Sequence, residues 1–250
     1  MTSMEFSASD YDEQWARLHD FIRFNPGVRS RRWMIRRELA ELQPAATVLD
    51  AGCVLGHTVA DIHECWSSAA VTGLDLVPAA IDWAAGKFPS AEWICADLTQ
   101  LVIEHDFDVV VCTEVIEHID RFDLVLSGLV RLTKPGGFLI ITTQSGKVHA
   151  TERSVGHVRH FSRLDLIKRL TELGMEIQRS RQWGWPGMTI LKYLANFSPE
   201  TTISRFGSGD YTKLGRMVNH LAYVFARCFS IPSSRFDSQI IITARRATDR

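Results

Sequence analysis

Two carboxylates and an imidazole lie within five positions in Thr113-Glu114-Val115-Ile116-Glu117-His118-Ile119, directly after the apolar run Phe107-Asp108-Val109-Val110-Val111-Cys112. If a helical turn begins there, Glu114, Glu117 and His118, at i, i+3 and i+4, share one face. Carboxylate and imidazole together make a mixed oxygen and nitrogen ligand set for Mg²⁺, Mn²⁺, Fe²⁺ or Zn²⁺. Two further imidazoles, His157 and His160, stand in Ser154-Val155-Gly156-His157-Val158-Arg159-His160, in the polar stretch after a later apolar run. Without a metal, the same groups allow base catalysis by His118 or His157, with Glu114 capping the next helix or touching substrate. A structural role for most of them is the third reading.

Such groups need elements to position them, and the sequence supplies an alternation. Apolar stretches at 47–52, 70–76, 91–98, 107–114 and 137–143 read as strands, and 57–66, 78–86 and 121–132 as helices. Lys134-Pro135-Gly136-Gly137 is expected to end the last of these helices. A helix from Ser162 to Leu173, N-capped by Ser162, and strands at 175–182 and 238–245 follow. This pattern predicts an α/β fold: a doubly wound, mostly parallel, seven-stranded sheet in which residues 113–118 and 144–160 open at the carboxyl edge. Residues 10–42 read as two helices separated at Pro26-Gly27, giving an N-terminal helical segment, 1–44, before the core, 45–182. Residues 183–236 are too long for a hairpin loop and read as an inserted cap, with a helix at 211–229, before the final strand and tail at 237–250.

The first strand ends in Val48-Leu49-Asp50-Ala51-Gly52-Cys53-Val54-Leu55-Gly56. Glycines at the carboxyl end of such a strand let the backbone approach a ligand. Asp75, ending the second strand, is placed to accept both hydroxyls of a ribose, and Asp97, after the third, to accept from an adenine amino group. Five segments in this order resemble the Rossmann-like S-adenosylmethionine (SAM)-dependent methyltransferases: "VLDAGCVLG", "GLDLVPAA", "CADL", "FDVVVCTEVIEH" and "LTKPGG". A nicotinamide dinucleotide is the rival for the glycine turn alone, but the last two segments belong to the methyl-transfer pattern. The resemblance implies SAM bound by Gly52, Cys53, Gly56, Asp75, Leu76, Asp97, Leu98 and Thr113, with Asp50 supporting the turn. Val54 departs from the small residue usual at its position. The expectation is ordinary backbone there or an altered pose of SAM, since a β-branched residue tolerates positive φ poorly.

The ExxEH segment plus a later His before Phe161-Ser162-Arg163 is similar to the ubiquinone-biosynthesis O-methyltransferases and the small-RNA 2′-O-methyltransferases, in which these residues hold a divalent metal. Carried over by position, the ligands would be Glu114, Glu117, His118 and His157, with His160 in reserve or as an acid/base neighbour. The resemblance thus implies transfer of a methyl group to a small-molecule hydroxyl. Carbon or nitrogen methylation and a non-catalytic SAM-fold module stay as alternatives.

Bulk properties narrow the partners. In 250 residues, 28 Lys and Arg stand against 29 Asp and Glu, so no basic field argues for nucleic acid. Five scattered cysteines without a CxxC, and no signal-like or membrane-spanning run, predict a cytoplasmic protein. Arg29, Arg32 and Arg36 share a helix face that reads as solvated, or as facing a phosphate or an anionic membrane. Trp183, Trp185, Tyr193 and Phe197 read either as core or as the wall of a pocket for an acceptor with an aromatic, lipid or sugar body.

Overall fold

A computed structural model describes residues 20–101, 103–207, 211–232 and 239–248. Residues 20–24 are helical, and Asn25 then caps α1 (Pro26–Ala40) by accepting from the Gly27 and Val28 amides. The first half follows as β1 (Thr47–Ala51), α2 (His57–Cys65), β2 (Ala70–Asp75), α3 (Pro78–Lys87), β3 (Glu92–Cys95) and β4 (Phe107–Thr113). A 3-10 turn (Ile116–His118) leads into α4 (Phe122–Leu132) and β5 (Thr133–Gln144). Then come α5 (Ala150–Ser154), α6 (Arg163–Glu172), β6 (Met175–Pro186), α7 (Gly187–Phe197), α8 (Pro199–Gly207), α9 (Lys213–Phe229), β7 (Ser230–Pro232) and β8 (Gln239–Arg246). The expected helical stretch at 10–19 lies outside the described residues. No described helix is long and apolar enough to cross a membrane.

The sheet order is β3-β2-β1-β4-β5-β8-β6-β7, parallel through β5 and antiparallel beyond it. It has eight strands, one more than expected, because β7 pairs with a β6 that runs on to Pro186. The strand order reverses beside β1 and β4, so their carboxyl ends open a crevice. Strand periodicity divides the core between two layers. Val110, Cys112, Leu139 and Ile141 face one helical layer, whereas Val109, Val111 and Ile140 face the other. That two-sided burial explains why β4 and β5 are nearly continuous apolar runs.

Two expectations change. The Lys134–Gly137 stretch is not a bare turn: Thr133 already pairs with Phe107, and the register shifts before Val109 meets Phe138. Lys134 is held at 2.9 Å by Asp108, which also accepts from the Thr47 amide and hydroxyl. The arginine face of α1 is partly solvated, and Arg32 and Arg36 on it are already paired with acids. Arg32 makes two bonds, at 2.5 and 2.9 Å, to the buried Asp61 of α2, and Arg36 adds a third at 3.3 Å. On the other side of α1, buried Glu38 accepts from Arg179 at 2.8 Å, Arg181 at 2.6 Å and Thr243 at 2.7 Å. These bonds fix α1 across β6 and β8. Losing one member of such a buried set costs about 3–5 kcal/mol.

The turn after β1 is strained. Val54 adopts φ +47°, the left-handed region, rather than ordinary backbone. For an L-residue this costs about 1–2 kcal/mol. Asp75 offsets the cost: its Oδ2 accepts from the Val54 amide at 2.9 Å, and its Oδ1 from Val77 at 3.1 Å. A hydrogen bond to a charged group contributes about 1.5–3 kcal/mol, enough to hold the turn. Asp50, at the end of the same strand, has no hydrogen-bond partner for either carboxylate oxygen among the described residues. It therefore does not brace the turn through its side chain, as had been expected. Burial, then the Asp75 and Asp61 charges, pushes its carboxyl up to about 8.

Two outcomes follow for thermal melting. Val54→Gly, which removes the strain and leaves the amide in place, should raise stability by up to about 1 kcal/mol; a clear loss would show that the valine side chain holds the turn. The Asp50 carboxyl binds its proton more tightly folded than unfolded. Its effect on stability is therefore most favourable below about pH 4 and declines as pH rises toward about 8. Asp50→Asn should flatten the fall in Tm between about pH 5 and pH 8. Parallel pH profiles for wild type and variant would contradict this.

Candidate active site

The 3-10 turn after β4 and the segment 155–160 after α5 meet at one carbonyl. The Glu117 oxygen accepts from the Val158 amide at 2.9 Å and from the Arg159 amide at 3.4 Å, while the His157 amide donates to the Glu152 carbonyl at 3.1 Å. Gly156, at φ +93°, makes the approach possible: a Cβ there would lie 3.2 Å from His118 Nδ1. The His118 and His157 rings consequently meet edge to face, with centroids 4.6 Å apart. One ligand atom each from Glu117, His118 and His157 can be chosen so that all lie within 4.8 Å of one another.

Glu117 is fully buried. Its Oε2 accepts from Thr143 at 3.0 Å, its Oε1 meets no donor among the described residues, and its carboxyl shares a side-chain hydrogen bond with Glu114. Burial first, and then the Glu114 charge, holds its carboxyl well above the usual range. Burial likewise lowers His118, against the pull of Glu114 and of its bond to the Gly156 backbone. Burial, with His118 and His160 next to it, takes His157 down to about 3. Both imidazoles are thus neutral at physiological pH, the form in which a ring nitrogen offers a lone pair.

Glu114 departs from the expected pattern. At φ +55° it precedes the turn instead of joining it, so the predicted shared helix face does not form. Its carboxylate accepts from Thr142 at 3.2 Å and Gln144 at 3.1 Å, and Arg31 of α1 stands 3.7 Å away. The Glu114 side chain also hydrogen-bonds Glu117, so Glu114 flanks the Glu117, His118 and His157 set rather than joining it. His160 sits behind His157, with Nε2 3.1 Å from His157 Nδ1 and 3.9 Å from the Glu152 carboxylate. Glu152 and α5 went unforeseen. Their signal was a capping box, His149 followed three residues later by Glu152, inside a stretch read as loop.

A cavity of about 660 Å³ opens against this cluster. Gly52, Cys53, Val54 and Thr113 border it on the sheet side, with Glu114, His118 and His157 at its end. A Cβ on Gly52, at φ +83°, would lie 2.3 Å from Val115 Cγ2, so the glycine lets the first turn pack on the reaction segment. Asp75, Leu76, Asp97 and Leu98 stand apart from that lining. Asp97 caps its own turn through Thr99, which lowers its pKa, and Leu98 packs in the core. Burial pushes the Cys53 thiol up. Facing the turn, α7 contributes Met188, Leu191 and Ala195, and α9 contributes Asn219 and Ala222. The aromatic group is not this wall: Trp183 packs in the core against Trp33, and Tyr193 and Phe197 are exposed.

Residues 49–141 match the family model described as a methyltransferase domain. The trans-aconitate 2-methyltransferase of Azoarcus sp. (strain BH72) is 33% identical over 100 residues, 40% of each chain. The malonyl-[acyl-carrier protein] O-methyltransferase of Acetivibrio thermocellus is 24% identical over 98 residues, 38% of this chain and 35% of the relative. The match spans about two-fifths of the length of these curated relatives. Among solved structures, the N-methyltransferase NodS of Bradyrhizobium japonicum WM9, in complex with S-adenosyl-L-homocysteine, aligns with a TM-score of 0.59 at 18% identity, covering 95% of this chain and 97% of that one. With this match set on a doubly wound sheet whose β1 turn and β4 end open one crevice, residues 49–141 are similar to a methyltransferase domain and the chain has the Rossmann-like fold of the methyltransferase structures.

Proposed function

We propose that the protein transfers the methyl group of SAM to a hydroxyl of a small molecule, at a centre formed by Glu117, His118 and His157 around a divalent cation. The observation that supports this reading is the convergence of one ligand atom from each of those three side chains, with His118 and His157 on the cavity wall and the Glu117 carboxyl fully buried beside them. A buried carboxyl beside two neutral imidazoles offers lone pairs that an ion can accept in exchange for the carboxyl proton. The donor set, two nitrogens and one oxygen, suits Mn²⁺, Fe²⁺ or Zn²⁺ and, less well, Mg²⁺. When bound, such an ion lowers the pKa of an acceptor hydroxyl and fixes its approach.

The chain's own residues do the positioning. The glycine turn, with Gly52, Cys53, Gly56 and Thr113, supports SAM, and Asp75 holds that turn while keeping a lone pair on each oxygen for a ribose hydroxyl. Thr143 orients Glu117, the Gly156 backbone orients His118, and His160 orients His157. Glu114 and Arg31, both bordering the cavity, orient the acceptor rather than the ion. The described sheet and its flanking helices form the core, β6 running past the expected boundary to Pro186, and α7, α8 and α9 form a cap that excludes water from the transfer. Oxygen is favoured as the acceptor because one relative is by name an O-methyltransferase and because a metal adds most to a hydroxyl. Metal-free base catalysis by His118 or His157 fits less well, since burial lowers both imidazoles and His157 the further. A group held near 3 is a weak base at neutral pH.

Isothermal titration of the protein with Mn²⁺, Zn²⁺ and Mg²⁺ tests the proposal. One site is expected, weakened by more than about tenfold in Glu117→Gln and in His157→Ala, and by about tenfold in His160→Ala, the residue behind the ligand. Full methyl transfer after chelation, with no ion bound in any titration, would refute it.

A further inference from the structure

The inner faces of α7 and α9 border the cavity, but their outer faces are apolar and exposed among the described residues. On α9, Leu214, Met217, Val218, Leu221 and Val224 recur at helical spacing, and all are exposed. On α7, Ile190, Tyr193, Leu194 and Phe197 do the same, with Phe197 90% exposed. The two helices pack on each other, so the stripes belong to one part of the surface. Isolated exposed apolar residues are ordinary, but two adjacent helices that both turn such stripes outward mark a docking surface.

Charge identifies the occupant. The segment 211–232 carries Lys213, Arg216, Arg227 and His220 and no Asp or Glu. Arg29 of α1 lies over Tyr223 and beside His220, while Arg37 and Arg227 both lie against Trp33. Asp20, paired with Arg216 at 2.9 Å, is the acid that faces this helix among the described residues. A second copy docked face to face would bring like charges together. An anionic lipid surface would neutralise them. We propose that the outer faces of α7 and α9 form a site that seats the protein on an anionic lipid bilayer, with the apolar stripes entering the headgroup region.

This placement puts the cavity, lined by the opposite faces of the same helices, next to the bilayer, where an acceptor with a lipid body would be found. The inference does not depend on the metal centre. Co-sedimentation of the full chain with vesicles tests it. Phosphatidylcholine mixed with phosphatidylglycerol should carry the protein down at low salt, and phosphatidylcholine alone at least about fivefold less. Leu194→Glu combined with Leu221→Glu should reduce binding at least about tenfold, with circular dichroism and melting unchanged. Lys213→Glu, a milder and fully exposed change, should weaken it several-fold and reduce its salt dependence. Protein that stays in the supernatant with both vesicle types, binding indifferent to lipid charge, or a homodimer that Leu221→Glu dissociates would each overturn the proposal.

Discussion

The Glu117 carbonyl is the joint on which the site depends. By accepting from the Val158 and Arg159 amides it ties the end of β4 to a segment some forty residues later. Only with that tie in place do His118 and His157 come edge to face, and only then does the Glu117 carboxyl lose contact with water. The backbone makes the joint and the side chains inherit their positions from it. Gly156 follows from the same constraint, since a side chain there would press on His118.

The crevice itself comes from sheet topology. β1 and β4 are neighbours whose following segments diverge, and the space left between them is roofed by α7 and α9. One wall is a strained turn at Val54, held by a carboxylate that also accepts from Val77. Asp75 thereby joins two consecutive βα connections, from β1 and from β2. Asp50 sits below them, uncharged over the usual working range because burial and two neighbouring carboxylates oppose its ionisation.

Much of this was legible in the sequence. The nearly continuous apolar runs of β4 and β5 and the glycine turn after β1 placed the sheet and its open edge, and the spacing of Glu117 and His118 marked the reaction space. Three features were hidden because tertiary contacts decide them. Glu114 was expected on the face of a helical turn, but its positive φ turns it toward Thr142 and Gln144. Arg32 and Arg36 of α1 read as solvated or phosphate-facing, and the acid that pairs with them, Asp61, comes from α2. The aromatic residues near the cap read as core or as pocket wall; Trp183, on β6, is core and Phe197, ending α7, is exposed, because spacing along a chain cannot say which side of an element meets the rest of the fold.

The cap and the cluster meet across the cavity, and the chemistry hinges on whether Glu117, His118 and His157 hold an ion there. Crystals grown with S-adenosylhomocysteine and soaked in Mn²⁺ answer this through anomalous scattering. The account predicts one peak at about 2.0–2.3 Å from a Glu117 oxygen and from a nitrogen of each histidine. An absent peak, or an ion held elsewhere with His157 turned from Glu117, would contradict it.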